Sequence, residues 1–206
     1  MTGWTGDTES LPRDSVVRVT RIVAGTLGGR RIAAPVGQHT RPTSDRVREA
    51  LFSTLESLTE VSGSRFMDLY AGSGAVGLEA LSRGAAAVLL VESDPKAARI
   101  IRENIALLGV GSGARLETGK VETVLESGPP DGQPYDVVFA DPPYAVPDDD
   151  LTAMLAALVD GAWLAADAVV VVERATRSAV PRWVPGLTSE RSRRYGETTL
   201  WYGRRS

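Results

Sequence analysis

Between residues 65 and 173 the chain alternates short, nearly continuous apolar runs with amphipathic segments, and few folds accept that pattern. RFMDLY (65–70), AAAVLLVE (85–92), YDVVFAD (135–141) and AVVVVE (168–173) are apolar almost throughout, and ARLET (114–118) reads as a further, more polar strand. Runs of this length without polar alternation are strands buried on both faces, the mark of a parallel sheet covered by helices. The segments between them read as helices. AVGLEALSRG (75–84) ends at Gly84, PKAARIIRENIALLG (95–109) ends at Gly109, a short helix lies near 120–126, and another spans 148–159. Glycine just past the last apolar position is a usual helix stop. The tail LTSERSRRYGETTLWYG predicts two antiparallel strands about Tyr195-Gly196. Five βα units followed by an antiparallel pair predict an α/β fold with a mostly parallel, seven-stranded sheet and helices on both faces.

The segment before this body has a different character. Residues 1–15 are polar and read as a flexible tail. Residues 16–35 predict a β-hairpin turning at TLGG (26–29), with Val17, Val19 and Arg21 on one face and Arg18 and Thr20 on the other. A lone hairpin is marginal in water, so it must lean on the body or on a partner. RPTSDRVREALFSTLESL then predicts a helix capped by Thr43 or Ser44, with an apolar stripe of Val47, Leu51, Phe52, Leu55 and Leu58. Arg41, Arg46 and Arg48 are expected off that stripe. The expected organisation is a tail (1–15), a hairpin arm (16–42) and a main domain (43–206).

Composition narrows the chemistry. With no cysteine and a single histidine, His39, thiol nucleophiles and histidine or cysteine metal clusters are excluded, and no metal site is expected. The net charge of -3 argues against a nucleic-acid partner until the charges are placed. Residues 13–48 carry +6 and residues 174–206 another +6, whereas residues 49–173 carry -13. An acidic body thus has two basic ends. The basic residues are Arg except for Lys96 and Lys120, and Arg suits phosphate forks and base stacking. No apolar stretch reaches the roughly 18 residues of a membrane span, and the first residues lack the features of a signal peptide. A cytoplasmic, monomeric protein is expected.

Two motifs carry the chemistry. DLYAGSGAVG places Gly72, Gly74 and Gly77 in a G-x-G-x-x-G turn between strand and helix, and Glu92 ends the next strand, where a carboxylate can hold ribose hydroxyls. This pair suits NAD as well as S-adenosylmethionine (SAM). Asp68, four residues before Gly72, decides between them: a carboxylate there would repel a pyrophosphate but welcome the ammonium group of SAM. The second motif, Asp141-Pro142-Pro143-Tyr144, follows the fourth apolar run. Two prolines stiffen the loop and leave carbonyls without local donors. The Asp141 carboxylate and the Pro142 carbonyl can accept the two hydrogens of an exocyclic amine, turning its lone pair toward a methyl donor, while Tyr144 stacks on the base. The motif points to amino-group methylation and does not separate adenine, cytosine and guanine.

With these residues in view, the chain resembles the bacterial 16S rRNA guanine-N2 methyltransferases of the RsmD type. The likeness runs from about Arg21 to Tyr202 through RIVAGTLGGRRI, RPTSDRVREALFSTL, DLYAGSGAVGLEALSRGA with VESD, and DPPY. It implies a Rossmann-like, SAM-dependent fold acting on a guanine at about position 966 of 16S rRNA in the 30S subunit or its assembly intermediate. It implies an amine site of Asp141, Pro142, Pro143 and Tyr144, and a SAM site of Asp68, Gly72, Ser73, Gly74 and Glu92. Arg18, Arg21, Arg30 and Arg31 of the hairpin, with Arg41, Thr43 and Arg46, would face RNA. Lys120 stands where relatives place an acceptor for the adenine amine, so backbone groups near Val121, or the neighbourhood of Asp141, are expected to read the adenine instead. The alternative is an adenine-N6 methyltransferase of DNA or RNA.

The remaining features have plainer readings. Asp94 is expected to cap the helix at 95, and Asp148-Asp149-Asp150 to match a helix dipole. Trp4, Trp163, Trp183 and Trp201 are expected in packing. Arg191, Arg193 and Arg194 are either a solvated strand face or extra phosphate contacts.

Overall fold

The computed structural model describes residues 18–35 and 44–206. The tail, His39, Arg41 and Thr43 lie outside the described residues. In chain order the elements are β1 (Arg18–Arg21), β2 (Arg31–Ala34), α1 (Asp45–Leu58), β3 (Arg65–Leu69), α2 (Ala75–Ser82), β4 (Ala87–Glu92), α3 (Pro95–Leu108), β5 (Ala114–Thr118), α4 (Val121–Glu126), β6 (Tyr135–Ala140), α5 (Asp148–Asp160), β7 (Leu164–Ala175), β8 (Leu187–Tyr195) and β9 (Thr198–Arg205). Strands β3 to β9 form one sheet in the order β5-β4-β3-β6-β7-β9-β8. Pairing is parallel from β5 through β7. It becomes antiparallel where β9 inserts between β7 and β8. This is a Rossmann-like fold of the predicted class.

Side chains of alternate parity feed the two faces. Val170 and Val172 of β7 join Leu125 of α4, Leu155 of α5 and Trp163 on one side; Val169 and Val171 join Phe52 of α1, Ala80 of α2 and Ile101 of α3 on the other. Trp163 is fully buried, and its indole N–H donates to the Leu125 carbonyl. Trp183 lies over Gly203, where a side chain would strike its ring. β7 is longer than the apolar run 168–173, because its register with β6 shifts between Tyr135 and Val137 and an extra pairing forms at Leu164. Asp94 caps α3 as expected, accepting from the N–H groups of Lys96 and Ala97.

The hairpin leans on the body, and the contacts that hold it are polar. Glu79 of α2, fully buried, accepts from the N–H groups of Val23 (2.6 Å) and Ala24 (2.9 Å). Ser82 accepts from Leu27 N–H and donates to the Ala24 carbonyl. Gly25 passes so close to Ser82, at φ +80°, that a Cβ would run into the Ser82 carbonyl. Ile22 and Ile32 fill a small apolar cluster with Leu78 and Leu108 beneath these bonds. Val19 is exposed; the strand is anchored through Ile22 and by Thr20 bonding Asp45. One expectation fails here: Arg48 is buried, not set off the apolar stripe of α1. Its guanidinium donates to the Arg21 carbonyl and to Asp45 and pairs with Glu79, so a cation enters the interior with its partners.

Candidate active site

Strand order reverses between β3 and β6, since the chain first builds outward through β4 and β5 and then returns to the other side of β3. Ligands of open α/β sheets bind in the crevice at the carboxyl ends of such a pair. A cavity of about 240 Å3 opens there, lined by Asp68, Tyr70, Gly72, Ser73, Glu92 and the Asp141–Tyr144 block, among others. The two sequence motifs, about seventy residues apart, therefore share one site.

Each glycine of the loop has a separate reason. Gly72 and Gly74 adopt positive φ (58° and 76°), and Gly74 is the left-handed cap of α2. Gly77 serves packing. A Cβ there would lie 2.8 Å from side-chain atoms of both Leu90 and Val88 on β4. Just before the loop, Tyr70 also has positive φ (62°), an uncommon state for a bulky residue and a cost that surrounding structure must offset. Glu92 fixes the loop from the next strand. One carboxylate oxygen accepts from Gly72 N–H (2.7 Å), the other from Asp94 N–H (2.8 Å). It remains part of the cavity wall, so its free lone pairs can still meet hydroxyl groups.

Asp68 is deeper than a strand-end carboxylate. It is buried, and its Oδ2 accepts from Gly77 N–H at 2.9 Å. Burial pushes its pKa up to about 7; the Gly77 bond opposes the rise and the Glu92 charge adds to it. Asp141 is likewise pushed well above the ordinary carboxylate range, by burial first and then by Glu173 and Asp68. No Lys or Arg among the described residues lines this cavity. It is a pocket short of positive charge, which fits the ammonium and sulfonium of SAM and would repel a dinucleotide's pyrophosphate.

In the Asp141–Tyr144 block, Pro142 is buried while Tyr144 is about half exposed, at 54%. The Pro143 carbonyl accepts from Val146 N–H (2.9 Å), so the expectation that both proline carbonyls stay unpaired fails for Pro143; the Pro142 carbonyl has no donor among the described residues. Asp141 and Pro142 thus offer acceptors at the cavity, and Tyr144 offers a ring face beside them.

Other expected residues separate. Gly74 shapes the loop without reaching the lining, and Val121 buries its side chain in the core at the start of α4, outside the lining as well. Lys120 precedes α4. Arg18, Arg30 and Arg31 are exposed; Arg30 donates to the Leu107 carbonyl, and Arg21 pairs with Asp45. Arg21 and Arg31 line an open cavity of about 450 Å3 on the hairpin.

Four contributors went unnoticed in the sequence. Ala34 and Pro35, at the end of β2, form part of the cofactor cavity wall. Asn104 of α3, 1% exposed, holds the end of that strand and donates to the Ser73 carbonyl. Its signal was available: an amide at the helical spacing of Ala97, Ile101 and Leu108 is a buried polar group that needs partners. The left-handed Tyr70 had no such signal.

A seven-stranded Rossmann-like sheet, a glycine loop at its switch point and an Asp-Pro-Pro-Tyr block across from it define a methyltransferase. The chain belongs to the family described as conserved hypothetical protein 95, whose model matches residues 20–204. It is 35% identical over 161 residues to ribosomal RNA small subunit methyltransferase D of Escherichia coli (strain K12), covering 78% of this chain and 77% of that protein. The enzyme of the same name from Haemophilus influenzae is 33% identical over 159 residues, covering 74% and 77%. Among solved structures, Escherichia coli yhhF superposes with a TM-score of 0.79 at 31% identity, over 92% of this chain and 99% of that one. A hypothetical protein of Thermus thermophilus gives 0.72 at 35% identity, over 89% and 98%.

Proposed function

We propose that this chain methylates the exocyclic N2 amine of a guanine in 16S rRNA, at about position 966 by family resemblance, in the 30S subunit or its assembly intermediate. Methylation of small-subunit rRNA is the activity named for its relatives. The observation that carries the reading is the Asp141–Tyr144 block opening into the same cavity as the glycine loop.

SAM, when bound, supplies an electrophilic methyl group on a cationic sulfur. Asp68 and Glu92 provide the negative wall for its ammonium and ribose. Asp141 and the Pro142 carbonyl accept the two amine hydrogens, which localises the lone pair on nitrogen, out of conjugation with the ring, and aims it at the methyl donor. Much of the gain is positional, since the nucleophile is held in line. Tyr144 stacks on the base, worth roughly 1–3 kcal/mol. An ionised Asp141 accepts more strongly than a protonated one and can take a proton, and positive charge in the cavity opposes the burial that raises its pKa. The proton lost by the amine as the bond forms passes to Asp141 or to water. The exposed arginines of the hairpin, with Arg46, face the RNA backbone.

The test is methyl transfer from labelled SAM to 30S particles lacking the modification. Label in guanosine of the 16S rRNA is expected; label in N6-methyladenosine, or none in the particles and transfer to duplex DNA offered in a parallel reaction, would replace this reading with the adenine one.

A further inference from the structure

A second cavity, of about 460 Å3, lies on the other side of Tyr144, lined by Tyr144, Ala175, Thr176, Arg177, Arg194 and Glu197. Its frame is rigid. Thr176 N–H donates to the Glu197 carbonyl (2.8 Å), and the Thr176 hydroxyl bonds the Gly196 carbonyl and the Thr199 hydroxyl, both at 3.1 Å. Arg194 pairs in register with Thr199, and its Nε donates to the Gly196 carbonyl. The β8–β9 turn is therefore locked to the end of β7. Arg177 and Arg194 stand on this frame at the cavity wall.

Tyr144 is the wall common to this cavity and the cofactor cavity. We infer that the Arg177–Arg194 cleft binds the RNA sugar-phosphate adjoining the target nucleotide, a second phosphate site across Tyr144 from the cofactor. This rests on the RNA methyltransferase reading above. A base stacked on Tyr144 and aimed at Asp141 leaves its backbone at the outer edge of that ring, where two guanidinium groups stand on a frame that needs no ordering. Guanidinium forks match phosphate oxygens. Strand alternation also separates the C-terminal arginines. Arg194 faces the cleft, whereas Arg191 and Arg193 pair in register with Tyr202 and Leu200, on the opposite sheet face. With the hairpin cavity of Arg21 and Arg31, the substrate is held at two separate basic surfaces, which accounts for the two basic ends of the sequence.

The experiment compares wild type, the double variant Arg177→Ala/Arg194→Ala, and Arg99→Ala, an exposed arginine of α3, as control. Methyl transfer to unmodified 30S particles and binding of a single-stranded oligoribonucleotide are measured over a salt series. The double variant is expected to raise KM for the particle about tenfold, with SAM affinity and melting temperature unchanged. The slope of log affinity against log salt should shrink by about 1.4, the contribution of two single-strand phosphates. A double variant that matches Arg99→Ala in both KM and salt slope overturns the cleft while leaving the methyltransferase reading intact. A wild type that methylates no rRNA yet loses oligoribonucleotide salt slope in the double variant keeps the cleft and removes the reading. Absence of oligoribonucleotide and particle binding in wild type overturns the cleft.

Discussion

Asn104 holds both backbone polar groups of Ala33: its Oδ1 accepts from Ala33 N–H and its Nδ2 donates to the Ala33 carbonyl, each at 2.9 Å. The same Nδ2 donates to the Ser73 carbonyl at 3.0 Å. One buried amide thus ties the hairpin to the glycine loop. Asn104→Ala should cost about 1–3 kcal/mol of stability, because three buried bonds lose a partner. It should also weaken SAM binding, since Ala34 and Pro35 wall the cofactor cavity. Thermal unfolding with and without SAM checks both, and a ligand-induced shift equal to wild type would separate hairpin from cofactor.

Glu79 clasps the hairpin through Val23 and Ala24 while pairing with buried Arg48 and with Arg83. Glu79→Ala removes the acceptor of two N–H groups and a partner of a buried cation, a loss of about 3–5 kcal/mol. Hydrogen exchange should show amides of residues 22–34 losing protection before those of β3 and β6. Uniform loss across the sheet would show that the hairpin does not open separately.

Gly77→Ala sets a large clash against a small gain in helix propensity. The new Cβ would press on buried Leu90 and Val88 at 2.8 Å, so overpacking should destabilise by about 1–3 kcal/mol. Chemical denaturation measures it; an unchanged or raised midpoint would mean that β4 yields freely.

Asp68 predicts how stability without ligand depends on pH. Its folded-state pKa of about 7 lies above the ordinary 3.8. The folded state therefore binds more protons between these values, and stability falls as pH rises from about 4 through 7. The loss is on the order of a few kcal/mol, and Asp141 adds to it in the same direction. Asp68→Asn, which keeps an acceptor for Gly77 N–H, should flatten the dependence and weaken SAM binding. Denaturation midpoints at pH 5 and pH 8 test this; a wild-type midpoint that rises with pH would contradict it.

Much of this was legible in the sequence because it is written locally. The apolar runs mark five parallel strands, Tyr195-Gly196 marks the terminal turn, and both site motifs sit at strand ends where the fold puts ligands. What was hidden depends on contacts distant in sequence. Arg48 reads as a surface cation until Glu79, thirty-one positions on, arrives beside it. Asp68 reads as a free carboxylate until α2 lays Gly77 N–H on it. Which sheet face takes Arg191 and Arg193 and which takes Arg194 is settled only by the register with β9.

The central claim is tested most directly by the identity of the methylated nucleoside. Unmodified 30S particles are treated with SAM and either wild type or Asp141→Asn, which keeps the shape of the side chain but loses its charge. The 16S rRNA is then digested and its nucleosides resolved by mass spectrometry. The account predicts N2-methylguanosine with wild type and a rate at least about a hundredfold lower with Asp141→Asn. A methyl group on any other base or atom, or an undiminished rate with Asp141→Asn, would contradict it.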